Sequence, residues 1–366
     1  MRVNFGQVQP TKDEFMKLLN SAFEDNIELK FLYPSGDPNT EINKETYQSA
    51  IDSILTEFNF IGVYERLHES LVVLSMILDV SVSDVLFDFL PKELSRCNSL
   101  QRPNWVQPDL ETYLNSTEWK QREEGDFLLC AAINKSLDLT IQKLGKENVK
   151  KRLDQYRKIL HLGRVAASRI HDRIGCGVPG LHERQFPFAD IKDVPFVMEK
   201  LSKEEQAFLS SPQFNVNPIT TDNAITKPLV NDETKTSTSK NKNGLIIKGF
   251  EPWDKSKNPF PCYPSDSLNT RGIYYIKVPK TSSSTLARIT QRIAGRQAQR
   301  QGYKNGESCK IHDAMKHYLA FDLNCGNRDK DKSFLWSVIR HPSDRVISHF
   351  GMFIFITYEV YALNLF

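Results

Sequence analysis

Lys280-Thr-Ser-Ser-Ser-Thr285 brings a cation, several hydroxyls and consecutive backbone N–H groups together in one short stretch. That is what a turn needs in order to hold an anion. Ile273 to Val278, β-branched and aromatic, reads as a buried strand leading into it, and Pro279 ends the pairing. The helix expected from Ser284 to Gln301, with Leu286, Ile289 and Ile293 on its core face, presents its first amides and its positive dipole end to the turn. A second stretch, Ser333 to Phe350, repeats the plan. Phe334 to Ile339 reads as a strand, Arg340 stands at its carboxyl end, Pro342 suits a helix start, and Ser348 follows about two turns along.

Both stretches therefore predict strands feeding helices, as in an α/β fold with an open parallel sheet. In such a sheet the carboxyl ends of the strands line the ligand crevice, so the Lys280 turn and Arg340 are expected to face one cleft. Arginine forks two hydrogen bonds onto a phosphate and a hydroxyl adds a third. Two anion sites at neighbouring strand ends suit a nucleotide with phosphates at two positions. The chain lacks G-x-x-x-x-G-K-[ST] and lacks G-x-G-x-x-G after a strand, which disfavours an ordinary nucleotide triphosphatase and a dinucleotide site. A small-molecule kinase of P-loop type is a weaker alternative.

The frame around these motifs is legible in parts. With 366 residues and 40% hydrophobic content the chain can bury a large core. A formal net charge of +3 is too mild to imply a nucleic-acid partner. Six cysteines, with no Cys-x-x-Cys pair, argue against a zinc ribbon, and no metal is expected. A helical candidate lies near Asp13–Phe23, and Tyr33-Pro-Ser-Gly-Asp-Pro is a loop signal.

Phe58 to Val63 reads as a strand ahead of a helix carrying Leu67, Leu71, Leu74 and Leu78. In the turn between them, Glu65, Arg66, His68 and Glu69 suit either substrate contact or a solvated helix entry. Val80 to Phe89 reads as another short helix, and Gln107 to Gln121 as polar loop. Two helices follow from Glu124 to Arg173, divided at Gly145; the second sets Val149, Leu153, Tyr156 and Leu160 opposite a solvated basic face of Lys150, Lys151, Arg152, Arg157 and Lys158. Between Gln213 and Asn243 the composition turns to Asn, Thr, Ser, Lys and Asp, a linker. Later, Arg288, Arg292, Arg296 and Arg300 recur every four residues, which fits solvated arginines or an anionic partner.

Lys277-Val-Pro-Lys-Thr-Ser-Ser-Ser-Thr-Leu286 resembles the 5′-phosphosulfate loop of sulfotransferases, and Arg340-His-Pro-Ser-Asp-Arg-Val-Ile-Ser348 resembles their 3′-phosphate motif. The resemblance is closest to the carbohydrate sulfotransferases of the galactosylceramide and heparan 2-O type. It implies a P-loop-type three-layer fold, 3′-phosphoadenosine 5′-phosphosulfate as donor, and a glycan or glycolipid hydroxyl as acceptor. It places Lys280 against the 5′-phosphate and bridging oxygen, and Thr281, Ser282, Ser283, Ser284 and Thr285 around that phosphate. Arg340 and Ser348 take the 3′-phosphate. The acceptor's proton needs a base; His312, lying between the two motifs, is the first choice, followed by His317 and Glu69.

The first half is similar to the part of this family that ordinarily follows the 3′-phosphate motif. Phe60 to Leu74 is similar to a later strand and helix, and Phe127 to Ile141 to a helix in which an Asn and a Leu-Asp pair are usual. The expected organisation is a later, acceptor-side half over residues 1–212, a linker over 213–243, and a truncated donor-binding half over 244–366. Three origins fit this order: a circular permutant, joined fragments of tandem copies, or a homodimer formed by exchange of halves. The apolar run after His349 departs from the family's continuation and favours the second. The family works in the Golgi behind an N-terminal membrane helix, which the sequence does not display. If the halves reunite, Phe58–Val63 should pair beside Phe334–Ile339.

Overall fold

The computed structural model describes residues 13, 16–17, 25–34, 42–86, 108–174, 202–203, 207, 239–240, 246–256, 260–263, 270–281, 283–304, 308–312, 319–320 and 322–348. In chain order they form helices α1 (Ile27–Leu32) and α2 (Tyr47–Glu57), strand β1 (Phe60–Val63), and helices α3 (Leu67–Ile77), α4 (Pro108–Leu114), α5 (Thr117–Arg122), α6 (Glu124–Leu144) and α7 (Lys146–Ile174). Strands β2 (Ser239–Lys240), β3 (Ile246–Ile247) and β4 (Gly272–Ile276) follow, then helix α8 (Ser283–Arg300), β5 (Ile311–His312), β6 (Ser333–Ile339) and a helix α9 over residues 342–348.

The architecture is mixed α/β, with an all-parallel four-stranded sheet in the order β1-β6-β4-β5 among many helices. β1 pairs with β6 in the register Phe60↔Trp336 to Val63↔Ile339. Segments on either side of the expected linker thus share one sheet. Every residue of β4 and β6 is buried, as in a parallel strand covered on both faces. α3 and α6 pack against β1, and α8 against β4. One apolar core runs through both segments, joining Leu71, Leu74, Ile133 and Leu137 to Leu286, Ile289, Tyr275 and Trp336. Of the expected linker, residues 239–240 pair with 246–247 and the remainder lies outside the described residues. So do the apolar C-terminal run and most of the Asp13–Phe23 candidate.

Most expected elements form within a few residues of their predicted bounds. Gly145, at φ 87°, ends α6 as expected of a glycine stop. Val80–Phe89 supplies a short 3-10 helix, Val82–Val85, with a capping box between Ser81 and Asp84. The polar stretch at 107–121, expected as loop, instead forms α4 and α5. Pro108 opens the first of these, and Ser116 caps the second by accepting from the Trp119 N–H at 3.2 Å. Its apolar residues were too sparse to register as a stripe, yet Leu110, Tyr113, Leu114 and Trp119 make a small second core with Val346 on α9. Trp119 Nε1 also donates to Ser343 Oγ at 3.0 Å.

The arginine stripe of α8 has its anion inside the chain. Asp84, fully buried, accepts from Arg296 Nη1 at 2.6 Å and Arg300 Nη2 at 3.0 Å, while Arg292 Nη1 donates to the Leu86 carbonyl. Arg288 and Arg300 are the exposed members of the four, and Arg292 and Arg296 are half-buried. On α7, Arg152 likewise leaves the solvated face and donates to the Val80 carbonyl at 2.7 Å. Cys262 and Cys309 form a disulfide with Cα atoms 4.6 Å apart, fastening the approach to β4 onto the approach to β5. Because Asp84 holds two guanidinium groups and the Ser81 N–H at once, Asp84→Ala is expected to destabilise the protein by about 2–3 kcal/mol. Urea unfolding measures this as a lower midpoint at unchanged slope.

Candidate functional site

At the carboxyl end of β4 the chain turns through Pro279 and Lys280 into α8. Lys280 adopts a left-handed conformation, φ 65°, uncommon for a residue with a side chain and typical of positions fixed by their surroundings. Thr281 is buried and its hydroxyl donates to the Val278 carbonyl at 3.0 Å, so this side chain ties the turn to the strand. α8 begins at Ser283, with Thr285 partly exposed in its first turn; Ser282 lies outside the described residues.

Arg340 stands at the end of neighbouring β6. Its Nη1 donates to the Lys280 carbonyl at 3.2 Å, so the two motifs meet at adjacent strand ends, as the sheet argument requires. The guanidinium carbon lies 4.4 Å from the centre of the Tyr64 ring. Glu65 Oε1 accepts from the His341 N–H at 2.9 Å and stands 4.0 Å from Arg340 Nε. Ser348, partly buried, lies on α9.

A cleft of about 690 Å³ opens beside Arg340, between the ends of β1 and β6 and helices α4, α6 and α9. Glu65, Arg66, Asn134, His341 and Asp344 give it polar walls, with Leu114 and Ile347 supplying apolar ones. Arg66 is set by Glu69 at 2.7 Å and Asp138 at 2.8 Å. Of the charged turn noted in the sequence, Glu65 and Arg66 therefore line a cavity, while Glu69 serves Arg66 and His68 packs on Tyr156.

His312 is placed elsewhere. It pairs in register with Tyr274, stacks on that ring with centroids 3.9 Å apart, and its Nε2 meets the Arg271 carbonyl at 2.7 Å. Arg271 precedes β4 and Lys280 follows it, so roughly 15–20 Å of strand and turn separate His312 from the Lys280 turn. Burial holds its imidazole below the usual histidine value. His317 lies outside the described residues.

Beneath Arg340 lies a cluster that no motif announced. Arg345, 1% exposed, is surrounded by Glu123 at 3.1 Å, Asp126 at 3.3 Å and Glu28 at 4.0 Å. Asp126 also caps α1, accepting from the N–H groups of Leu29 at 2.8 Å and Glu28 at 3.1 Å. Glu28 Oε1 accepts the Arg340 N–H at 2.9 Å. Burial raises all three carboxyls, and carboxylate repulsion from Asp126 adds to this at Glu28 and Glu123; Glu123 reaches about 7. The sequence carried one clue, an arginine one turn inside a helix that starts beside a phosphate motif, but nothing in it named the partners.

Compared with family models, curated proteins and solved structures, the chain matches none. Among the described residues no group of His, Cys, Asp and Glu has a metal-site arrangement, and no helix is long and apolar enough to cross a membrane.

The cluster sets a pH dependence of stability. A carboxyl raised in the folded state keeps its proton where the unfolded chain has lost it, so its stabilisation is complete below about pH 4.5 and is lost as pH rises to about 7. Glu123→Gln, which keeps an acceptor but cannot ionise, is expected to flatten this slope. The difference between wild type and variant should change by on the order of 3 kcal/mol between pH 4.5 and 8 in chemical unfolding.

Proposed function

We propose that the chain is a sulfotransferase that moves a sulfuryl group from 3′-phosphoadenosine 5′-phosphosulfate to a hydroxyl of a glycan or glycolipid. One observation carries this reading: Arg340 donates to the Lys280 carbonyl, so the two motifs that resemble the family's phosphate-binding segments converge at adjacent parallel strand ends. The residues present suit such a donor. A left-handed turn precedes the N-terminus of an 18-residue helix, a guanidinium stands beside it, and a cleft lined by the adjacent His341 has room for a nucleoside.

The donor supplies the activated sulfuryl group; the chain binds, orients and neutralises. Lys280 meets the negative charge that grows on the leaving phosphate oxygen. The amides of residues 281–285, with the hydroxyls of Ser284 and Thr285, hold the 5′-phosphate, and Arg340 with Ser348 holds the 3′-phosphate. The acceptor oxygen attacks sulfur, the bond from sulfur to the bridging oxygen breaks, and a base takes the hydroxyl proton.

The finer fold assignment, a P-loop-type three-layer domain assembled in permuted order, is part of the same proposal and is supported by the β1–β6 pairing. The Cys262–Cys309 disulfide suits an oxidising lumen, such as the Golgi in which the resembled family works.

A second reading, an inactive nucleotide-binding remnant made of joined fragments of tandem sulfotransferases, is favoured by one placement. His312, the base expected from sequence, lies beside the middle of β4 and turns its ring to the Arg271 carbonyl, away from the Lys280 turn. Calorimetry with adenosine 3′,5′-bisphosphate and transfer of labelled sulfate from the donor to glycans separate the two. The enzyme binds and transfers; the remnant binds only. Lys280→Ala is expected to abolish transfer and weaken donor binding at least about tenfold while keeping the fold, and Arg340→Lys to weaken bisphosphate binding by a similar factor through loss of the fork. Unchanged donor affinity in Lys280→Ala overturns the assignment.

A further inference from the structure

Glu28 is the residue through which the buried cluster touches the proposed anion site. It belongs to α1, far upstream, yet its Oε1 accepts the backbone N–H of Arg340 at 2.9 Å. Its side chain is fully buried, and Oε2 meets no hydrogen-bond partner. An unpartnered neutral oxygen costs far less to bury than an unpartnered charge.

The groups that face it come from several elements. Asp126 and Arg345 stand on α6 and α9, Glu123 joins them just before α6, and Glu65 and Arg340 follow β1 and β6. Two cations thus face four carboxyls, including Glu28 itself. Arg345, the only buried cation of the set, makes its close contacts with Glu123 and Asp126 and stands farther from Glu28, with its Nε 4.0 Å away.

We propose that Glu28 is a positioning residue that makes anion binding at Arg340 depend on pH: as the acid it orients the Arg340 backbone, and on losing its proton it sets a negative charge beneath the anion site. Burial, first, and the neighbouring Asp126 raise its carboxyl well above the usual carboxylate range. The consequence for a ligand has a definite sign. An added buried charge roughly 8–10 Å from a bound phosphate opposes it by about a factor of ten. Bisphosphate affinity therefore falls, relative to a chain that cannot ionise at this position, as pH rises.

The inference rests on the donor-site reading, and one titration tests both. Adenosine 3′,5′-bisphosphate is bound to the full chain and to Glu28→Gln by calorimetry from pH 5.5 to 8.5, which also subtracts the ligand's own ionisation. The ratio of wild-type to variant Kd is expected near one at the acid end and to climb to about ten at the alkaline end. A ratio constant across the range overturns the role of Glu28. No binding by wild type at any pH overturns the anion site itself.

Should Glu28→Gln fail to fold, Glu65→Gln gives the same reading by another route. Removing that neighbouring negative charge is expected to move the fall in affinity to lower pH, and an unmoved midpoint overturns the proposal. A residue that merely packed would change affinity by the same factor at every pH.

Discussion

Burying a guanidinium without partners costs several kcal/mol, and Arg345, 1% exposed, meets that cost with carboxyls drawn from distant parts of the chain. Asp126 spends its remaining acceptor capacity on the start of α1, Asn26 Oδ1 accepts the Asp126 N–H at 3.1 Å, and Glu28 reaches from α1 to the backbone of Arg340. The N-terminal helices, α6 and the segment after β6 are therefore held by one polar network. Removing any one member strips buried partners from the others, so the contributions of its members are coupled. The geometry of Arg340, and with it the meeting of the two candidate phosphate motifs, depends on that arrangement.

Asp84 plays a parallel part on another side of the sheet. It closes a capping box on its own 3-10 turn and simultaneously binds two arginines of α8, the helix that leaves the Lys280 turn. One stitch thus fixes the strand end that carries Arg340, and the other fixes the helix whose first turn faces it. Apolar burial supplies most of the driving force for folding, while these charged contacts determine how the upstream and downstream segments align.

Local chemistry was legible where a residue's role is decided by its neighbours in sequence. The strands at 60–63, 272–276 and 333–339, the stop at Gly145 and the helix after Lys280 all follow from period, proline and glycine. The pairing of β1 with β6 was a condition set by the resemblance, to be met if the two halves reunite, and the register Phe60↔Trp336 meets it. What the sequence hid was long-range polar partnership. The arginines of α8 carry the same pattern whether they face water or Asp84, because helical spacing records which face a residue is on and not what meets it. Helices α4 and α5 were hidden for a related reason: their few apolar residues are buried against α9, a surface that exists only once the chain has folded. His312 had the right residue type in the right interval, yet it pairs beside the middle of β4 and its ring is held by Tyr274 and the Arg271 carbonyl, short of the Lys280 turn.

The register Phe60↔Trp336 also has a consequence in time. Asn59 and Leu335, bonded to each other across the same strand pair, are 276 residues apart in the chain. At a synthesis rate of about 5–20 residues per second, β1 emerges roughly 15–55 s before its neighbour exists. During that interval an apolar strand and the helix behind it have no sheet to join, whereas β4, β5 and β6 are made within a short span and can pair promptly. Among the described strands, β1 is thus the one that waits longest for its partner.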